Sequence, residues 1–240
     1  MKKYQPFRFK QFEIHQNKTA MKVGTDGVLL GAWTNVAAAK RVLDIGTGTG
    51  LIALMTAQRN VTAIIDAVEI DKNSYEEAKH NFEISTWSNR LQIYHQTIQD
   101  FSKNTTEQYD LIISNPPYFI NSTKSSNPSK NQVRHTDSLS FADLLEAVDK
   151  LLNDNGRFCV VLPYVEGEQF YHLAKAKKIH CIKKTMVRGR EIKPTERLLM
   201  EFSKQKKSYE ENKLIIQNSP KRHDYTEKYV DLTKNFYLFM

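Results

Sequence analysis

The chain has 240 residues, with 35 Lys+Arg against 27 Asp+Glu, a formal net charge of +8 and an isoelectric point near 9.3. A hydrophobic fraction of 40% and a charged fraction of 26% are globular values, so a disordered chain, a collagen-like repeat and a disulfide scaffold are excluded. No apolar run approaches the roughly 18 residues of a membrane span, and the opening MKKYQPFRFK lacks the apolar core of a signal peptide; the expectation is a cytoplasmic protein without membrane contact.

In chain order, Thr25-Asp26-Gly27 before Val28 to Trp33 reads as a capped helix. Arg41 to Ile45 is a buried-strand run, Gly46 to Gly50 a glycine-rich turn and Leu51 to Gln58 a helix. A strand at Ala63 to Ile70, helical spacing from Lys72 to Ile84, and strands at Leu91 to Tyr94 and Tyr109 to Ser114 follow. Thr123 to Val133 is polar and aperiodic, hence a loop. Phe141 to Leu152 is a helix with Leu144, Leu145, Val148 and Leu151 on one face; Asn155-Gly156 breaks it before a strand at Arg157 to Leu162. A helix runs from Glu166 to about Lys177, and Lys178 to Val187 and Arg197 to Phe202 are placed as antiparallel neighbours at the sheet edge. Lys213 to Gln217 is strand-like and Thr226 to Phe239 could be helical, with no function assigned to either. Apolar strands alternating with helices call for an α/β fold, a parallel sheet covered on both faces. The expected organisation is a covering segment over residues 1–39, a catalytic body over 40–204, and an appendage of the same domain over 205–240.

Charge divides unevenly. Residues 1–40 carry seven Lys/Arg and two acids, 41–114 six and ten, 115–170 five and seven, and 171–240 seventeen and eight. An acidic centre between basic ends fits a small cationic ligand in the body and a polyanion on the flanks, although a solvated basic surface would read the same way.

The richest stretch is Asp44-Ile45-Gly46-Thr47-Gly48-Thr49-Gly50, an apolar strand ending in an acid and turning through three glycines into a helix. A dinucleotide site would read GxGxxG and place pyrophosphate on the helix N-terminus. A carboxylate at Asp44 repels pyrophosphate but suits a cationic, amino-acid-bearing ligand, and S-adenosylmethionine, with its sulfonium and ammonium, fits. Glu69 ends the second strand, where an acid can grip both ribose hydroxyls, and Asp100 follows the third, where it could accept from an adenine amine.

After the fourth strand comes Asn115-Pro116-Pro117-Tyr118. Consecutive prolines are rigid and lack N–H donors, so the Asn115 side chain and the Pro116 carbonyl can be fixed as two acceptors, with Tyr118 as a stacking face and Phe119 beside it. Two acceptors without a base suit methylation of a planar exocyclic amine: holding both N–H groups lets the nitrogen pyramidalise and aim its lone pair. A paired base would have to be flipped out first. The motif allows adenine N6, cytosine N4, guanine N2 and the glutamine amide. Cys159 and Cys181 lie far from it in sequence and form no CxxC pair, and no metal-ligand spacing occurs, so no metal, disulfide or thiol chemistry is expected, and no protein partner is evident.

Asp44 through Gly50 with Asn115 through Tyr118 resembles the class I, Rossmann-like amino-methyltransferases. Phe9 to Phe12, Met21 to Trp33, Arg134-His135, Lys193-Pro194 and Leu198 to Ser203 resemble one bacterial branch of them, the valine tRNA adenine-37 N6-methyltransferases, so the similarity covers nearly the whole chain. It implies a seven-stranded, mostly parallel sheet in the order 3-2-1-4-5-7-6, S-adenosylmethionine as donor, and the adenine beside the valine anticodon as target. It also implies that Lys22 to Gly27 closes over the donor's methionine end. The expected donor contacts are then Lys22, Thr25, Asp44, Gly46, Thr47, Gly48, Gly50, Glu69, Ile70, Asp100 and Asn115. Rival enzymes with the same reacting motif, acting on release-factor glutamine or DNA adenine, need a separate helical or target-recognition domain, for which about forty residues before the turn and seventy after residue 170 are thin. An RNA-binding module with a vestigial site is a further reading, opposed by intact Asn115 and Asp44.

The basic flank runs from Lys175 through Lys177, Lys178, Lys183, Lys184, Arg188 and Arg190 to Lys193, with Glu191 its only acid. Lys183, Lys184, Arg188, Arg190, Lys193 and Arg134 are the expected tRNA contacts, although edge-strand lysines that block sheet aggregation would read alike.

Overall fold

The computed structural model describes residues 5–117 and 139–240. Tyr118, Phe119, Arg134, His135 and the expected loop at Thr123 to Val133 lie outside the described residues. A short antiparallel pair, β1 (Phe7–Arg8) and β2 (Glu13–Ile14), is followed by α1 (Thr25–Trp33). The body alternates β3 (Arg41–Ile45), α2 (Leu51–Arg59), β4 (Ile64–Glu69), α3 (Lys72–Glu83), β5 (Leu91–His95), α4 (Ile98–Asn104) and β6 (Tyr109–Ser114). It continues through α5 (Phe141–Leu151), β7 (Leu152–Pro163), α6 (Tyr164–Ala176) and β8 (His180–Arg188). β9 (Arg197–Ser203), β10 (Glu210–Ile215) and α7 (Glu227–Thr233) complete it.

The large sheet has the order β10-β8-β9-β7-β6-β3-β4-β5, parallel throughout except for β9, which is antiparallel to both neighbours. The seven strands from β8 to β5 follow the expected class I order, and β10 is an eighth. β8 is therefore not the sheet edge: β10 pairs along it from Glu210 opposite Lys183 to Ile215 opposite Arg188.

Period-2 alternation sorts the two cores. Val42, Leu111, Ile113, Val161 and Leu199 face the side covered by α1 and α2, whereas Leu43, Ile45, Ile112, Val160 and Met200 face the side covered by α5 and α6. The predicted face of α5 is fully buried, and its cap is Ser140, whose hydroxyl accepts from the Asp143 amide at 3.1 Å. The chain enters β7 directly at Leu152, and Asn155-Gly156 falls inside it as an irregularity: β6 pairs Tyr109 with Leu152 and then Leu111 with Arg157.

α1 begins at Thr25 itself, with Gly24 as its N-cap and no side-chain cap. Asp26 lies in the first turn and pairs with Arg197 of β9 at 2.8 Å, tying the helix to the sheet. One buried polar cluster sits away from the strand ends: Asp66 accepts from Arg41 at 2.9 Å and from the Tyr109 hydroxyl at 2.8 Å.

Candidate active site

The parallel strands β3, β4, β5 and β6 all end on the same rim, and there a cavity of about 470 Å³ opens. Its walls come from the ends of β3 (Ile45, Gly46, Gly48), β4 (Val68, Glu69, Ile70) and β6 (Asn115, Pro117). This is the crevice outside the carboxyl ends of the strands where open α/β sheets bind ligands.

The glycine turn is shaped by its backbone. Gly46, Gly48 and Gly50 have φ of 68°, 59° and 82°, and the Gly46 amide donates to the Val68 carbonyl at 2.9 Å, locking the turn to β4. At Gly50 a Cβ would lie 2.5 Å from the Phe82 ring, so both the left-handed backbone and the close approach of α3 require glycine. Gly50→Ala is expected to cost about 2 kcal/mol or more, read as a lower urea midpoint with unchanged m-value.

Glu69 ties the glycine turn to the N-cap of α3. One carboxylate oxygen accepts from the Gly48 amide and the other from the Asp71 amide, both at 2.8 Å. With the Ile70 amide also directed at the carboxylate, one further lone pair remains for a ribose hydroxyl. Burial raises its pKa against those backbone hydrogen bonds. Asp44 sits directly behind the wall, 1% exposed. The Thr47 hydroxyl donates to its Oδ2 at 2.6 Å, while Oδ1 is buried without a hydrogen-bond partner. Burial pushes its pKa up to about 7; the Thr47 hydroxyl and Ala53 amide favour the charged form and Glu69 opposes it. A buried carboxylate with an orphan oxygen beside a cavity is a site that a cation stabilises, which is the fit required of a sulfonium donor bearing an ammonium.

Of the residues expected from sequence, Gly46, Gly48, Glu69, Ile70, Asn115 and Pro117 line the cavity. Asp44, Thr47, Gly50 and Pro116 are buried close to lining residues in the chain and do not themselves line it. Asp100 does not reach it: its carboxylate is turned to the Thr97 hydroxyl at 2.8 Å, with Lys103 at 3.9 Å, because Thr97 caps α4 and draws the first-turn acid to itself. Lys22 and Thr25 do not line it either. The Lys22 ammonium donates to the Gln16 and Thr19 carbonyls, closing the covering segment on itself, and Thr25 is the exposed first residue of α1.

The structure adds residues that sequence reasoning missed. Thr19, Ala20 and Met21 form a wall, and Gln96, Thr97 and Gln99 another. The first is held by Glu77 of α3, a buried carboxylate that accepts from the Lys18 amide at 2.6 Å and the Thr19 amide at 2.9 Å. A glutamate on a helix face with no local partner gives no such signal in one dimension.

Neither thiol is nucleophilic. Burial holds Cys159 well above the usual thiol range and pushes Cys181 up to about 12. Among the described residues no group of three or more His, Cys, Asp or Glu is arranged to hold a metal ion, and no helix is long and apolar enough to cross a membrane.

The basic run from Lys175 to Lys193 does not form one patch. Lys175, Lys177 and Lys178 lie at the far end of the sheet from the cavity, and β8 then carries the chain nine residues, about 30 Å, back to the cavity end. Midway, Lys183 pairs with Glu210 at 3.7 Å and lies over the Trp33 ring. Lys184 pairs with Glu168 at 3.5 Å and Glu211 at 3.3 Å. These two lysines are matched by acids within the fold; only Arg188, Arg190 and Lys193 lie at the end where the cavity opens.

A doubly covered parallel sheet, a glycine turn backed by a buried acid, a ribose-spacing glutamate and Asn-Pro-Pro at the next strand end together define an S-adenosylmethionine-dependent class I methyltransferase. Residues 22–185 match the methyltransferase small domain family. The chain is 47% identical to a tRNA1(Val) (adenine(37)-N6)-methyltransferase of Flavobacterium psychrophilum over 98% of this chain and 100% of that one. It is 44% identical to a protein of the same name from Bacteroides fragilis over 98% of each. The chain belongs to the tRNA1(Val) (adenine(37)-N6)-methyltransferase family. Among solved structures, a predicted O-methyltransferase from Agrobacterium tumefaciens shares the fold, with a TM-score of 0.70 and 17% identity over 88% of this chain and 96% of that one. M. capricolum TrmK with S-adenosylhomocysteine superposes at 0.53, with 14% identity over 76% and 69%.

Proposed function

We propose that the protein transfers a methyl group from S-adenosylmethionine to the N6 amine of adenine 37 in the anticodon loop of valine tRNA, acting in the cytoplasm. The observation that carries the chemistry is Asn115 on the wall of the cavity shaped by Gly46, Gly48 and Glu69. The substrate rests on the family name shared by relatives matched over nearly their full lengths.

Glu69 would hold the donor's ribose, Val68, Ile70 and Ile98 its adenine ring, and the Gly46–Gly48 backbone its methionine end, with the Asp44 charge behind. When bound, the donor supplies an electrophilic methyl on a sulfonium, which departs as a neutral thioether. The side-chain oxygen of Asn115 and the carbonyl of Pro116 accept the two N–H groups of the adenine amine. This withdraws the nitrogen lone pair from the ring and directs it at the methyl carbon; one N–H proton is then lost to solvent. No side-chain base is required, because the methylated nitrogen is strongly acidic until that proton leaves. Tyr118, next in the sequence motif and outside the described residues, is the residue proposed to stack on the flipped base.

The test is methyl transfer to total unmodified tRNA with the labelled nucleoside mapped. N6-methyladenosine at position 37 of valine tRNA is expected. Label confined to protein, DNA or guanine N2 would overturn the reading.

A further inference from the structure

The last thirty residues bring a second group of cations to the cavity end of the sheet. After β10, Ile216 and Gln217 donate their amides to the carbonyls of Arg188 and Gly189, both at 3.0 Å, so the chain docks on the β8–β9 turn. It then folds back as a hairpin: Gln217 bridges Tyr225, the Asn218 amide donates to Asp224 at 2.9 Å, and the Thr226 amide returns to Ile216 at 3.0 Å. At the tip Lys221, Arg222 and His223 are exposed, with His223 in left-handed backbone at φ 66°.

The register fixes where this tip lies. Ile215 is opposite Arg188, Val187 opposite Arg197, Arg197 opposite Pro163, and Val160 opposite Ser114. All of these strand ends share the rim that carries Asn115. From β6 to β10 is four strand spacings, about 19 Å, close to the breadth of an RNA helix. Unlike Lys183 and Lys184, Lys221 and Arg222 form no ion pair among the described residues, although the Lys221 charge is felt by Asp224, whose pKa it helps the Ser219 and Asn218 hydrogen bonds to lower. The hairpin's own acid, Asp224, is held internally by Ser219 and Asn218.

We infer that the Gln217–Tyr225 hairpin, with Arg190 and Lys193 of the β8–β9 turn, is a phosphate-binding surface for the stem of the RNA whose unpaired base enters at Asn115. This rests on the proposed function and assigns its RNA contact to the end of the chain. Adjacent cations on a rigid hairpin neutralise successive phosphates without reading sequence, so they hold the stem while the loop base is presented.

Filter binding of unmodified valine tRNA between 50 and 200 mM salt tests it. Lys221→Glu/Arg222→Glu is expected to weaken binding about tenfold or more and to reduce the salt slope by about 2, with Lys221→Ala/Arg222→Ala giving a smaller loss in the same direction. Lys206→Glu/Lys207→Glu makes the same charge change at the opposite end of the sheet and is expected to alter binding little. Thermal midpoints and donor affinities of all variants match wild type, since these side chains are exposed. Unchanged affinity in the hairpin variants, or equal loss in both glutamate pairs, overturns the surface while wild-type methylation of tRNA still stands. Absence of wild-type methylation of any tRNA overturns the functional reading and the surface with it.

Discussion

Asn115→Ala is expected to retain donor binding within a few-fold and to lower the rate of methyl transfer by about 10²–10³-fold, the cost typical of removing one hydrogen-bonding group from a reacting centre. The residue sits at the mouth of β6, where Ser114 is fixed by donating to the Ile45 carbonyl at 2.9 Å and Pro116 is buried. Its position is therefore set by backbone and survives truncation of the side chain. The interaction removed is one made most strongly as the amine pyramidalises, so kcat falls and the donor dissociation constant does not. Asn115→Asp keeps an acceptor oxygen and should recover part of the rate. Tritium transfer under single-turnover conditions, with donor binding measured by calorimetry, separates the two quantities; wild-type transfer by the alanine variant would refute the assigned role.

Donor affinity should rise about tenfold per pH unit up to pH 7 and level off above it. Burial holds Asp44 protonated below about 7, and a neutral acid offers no charge to a cationic ligand. Asp44→Asn is expected to weaken donor binding at pH 8 by at least about tenfold and to remove most of this dependence, the remainder belonging to Glu69, which burial also raises. The same carboxylate shapes stability with the opposite sign. Its folded pKa lies above the unfolded value near 4, so its contribution is whole below pH 4 and is lost as pH rises from 4 to 7, by up to about 4 kcal/mol. The asparagine variant should therefore lose less stability across that window than wild type, a difference measurable by urea unfolding at pH 5 and pH 8. A pH-independent donor affinity in the wild type would dismiss Asp44 as the electrostatic partner. Stability given up at a buried acid is recovered when the cation binds.

Most of the body was legible without coordinates. Strands two-faced in their apolar residues, such as Arg41–Ile45 and Tyr109–Ser114, cannot be satisfied except in a doubly covered parallel sheet, and glycines at every second position after Asp44 can only be a turn. Local sequence also placed Glu69 and Asn115, because in such a sheet every strand end falls on one rim. Asp100 shows where that logic stops: it follows a strand end as required, but Thr97, three residues before it, captures the carboxylate as part of a helix cap.

The flanks were less legible for a different reason. The run of lysines and arginines from 175 to 193 is continuous in the chain yet spans a whole strand, so its members lie at opposite ends of the sheet, and two of them are neutralised by Glu168, Glu210 and Glu211 from α6 and β10. The N-terminal cover over the cavity is held by Glu77, remote in sequence. The sequence by itself determined the fold class, the glycine turn after Asp44 and the placing of Asn-Pro-Pro at a strand end, since each follows from backbone rules and periodicity acting over a few residues. Only the tertiary structure decided which charges are free to meet a polyanion and which elements wall the cavity, because electrostatic pairing and wall-building depend on through-space distances that strand order and register set.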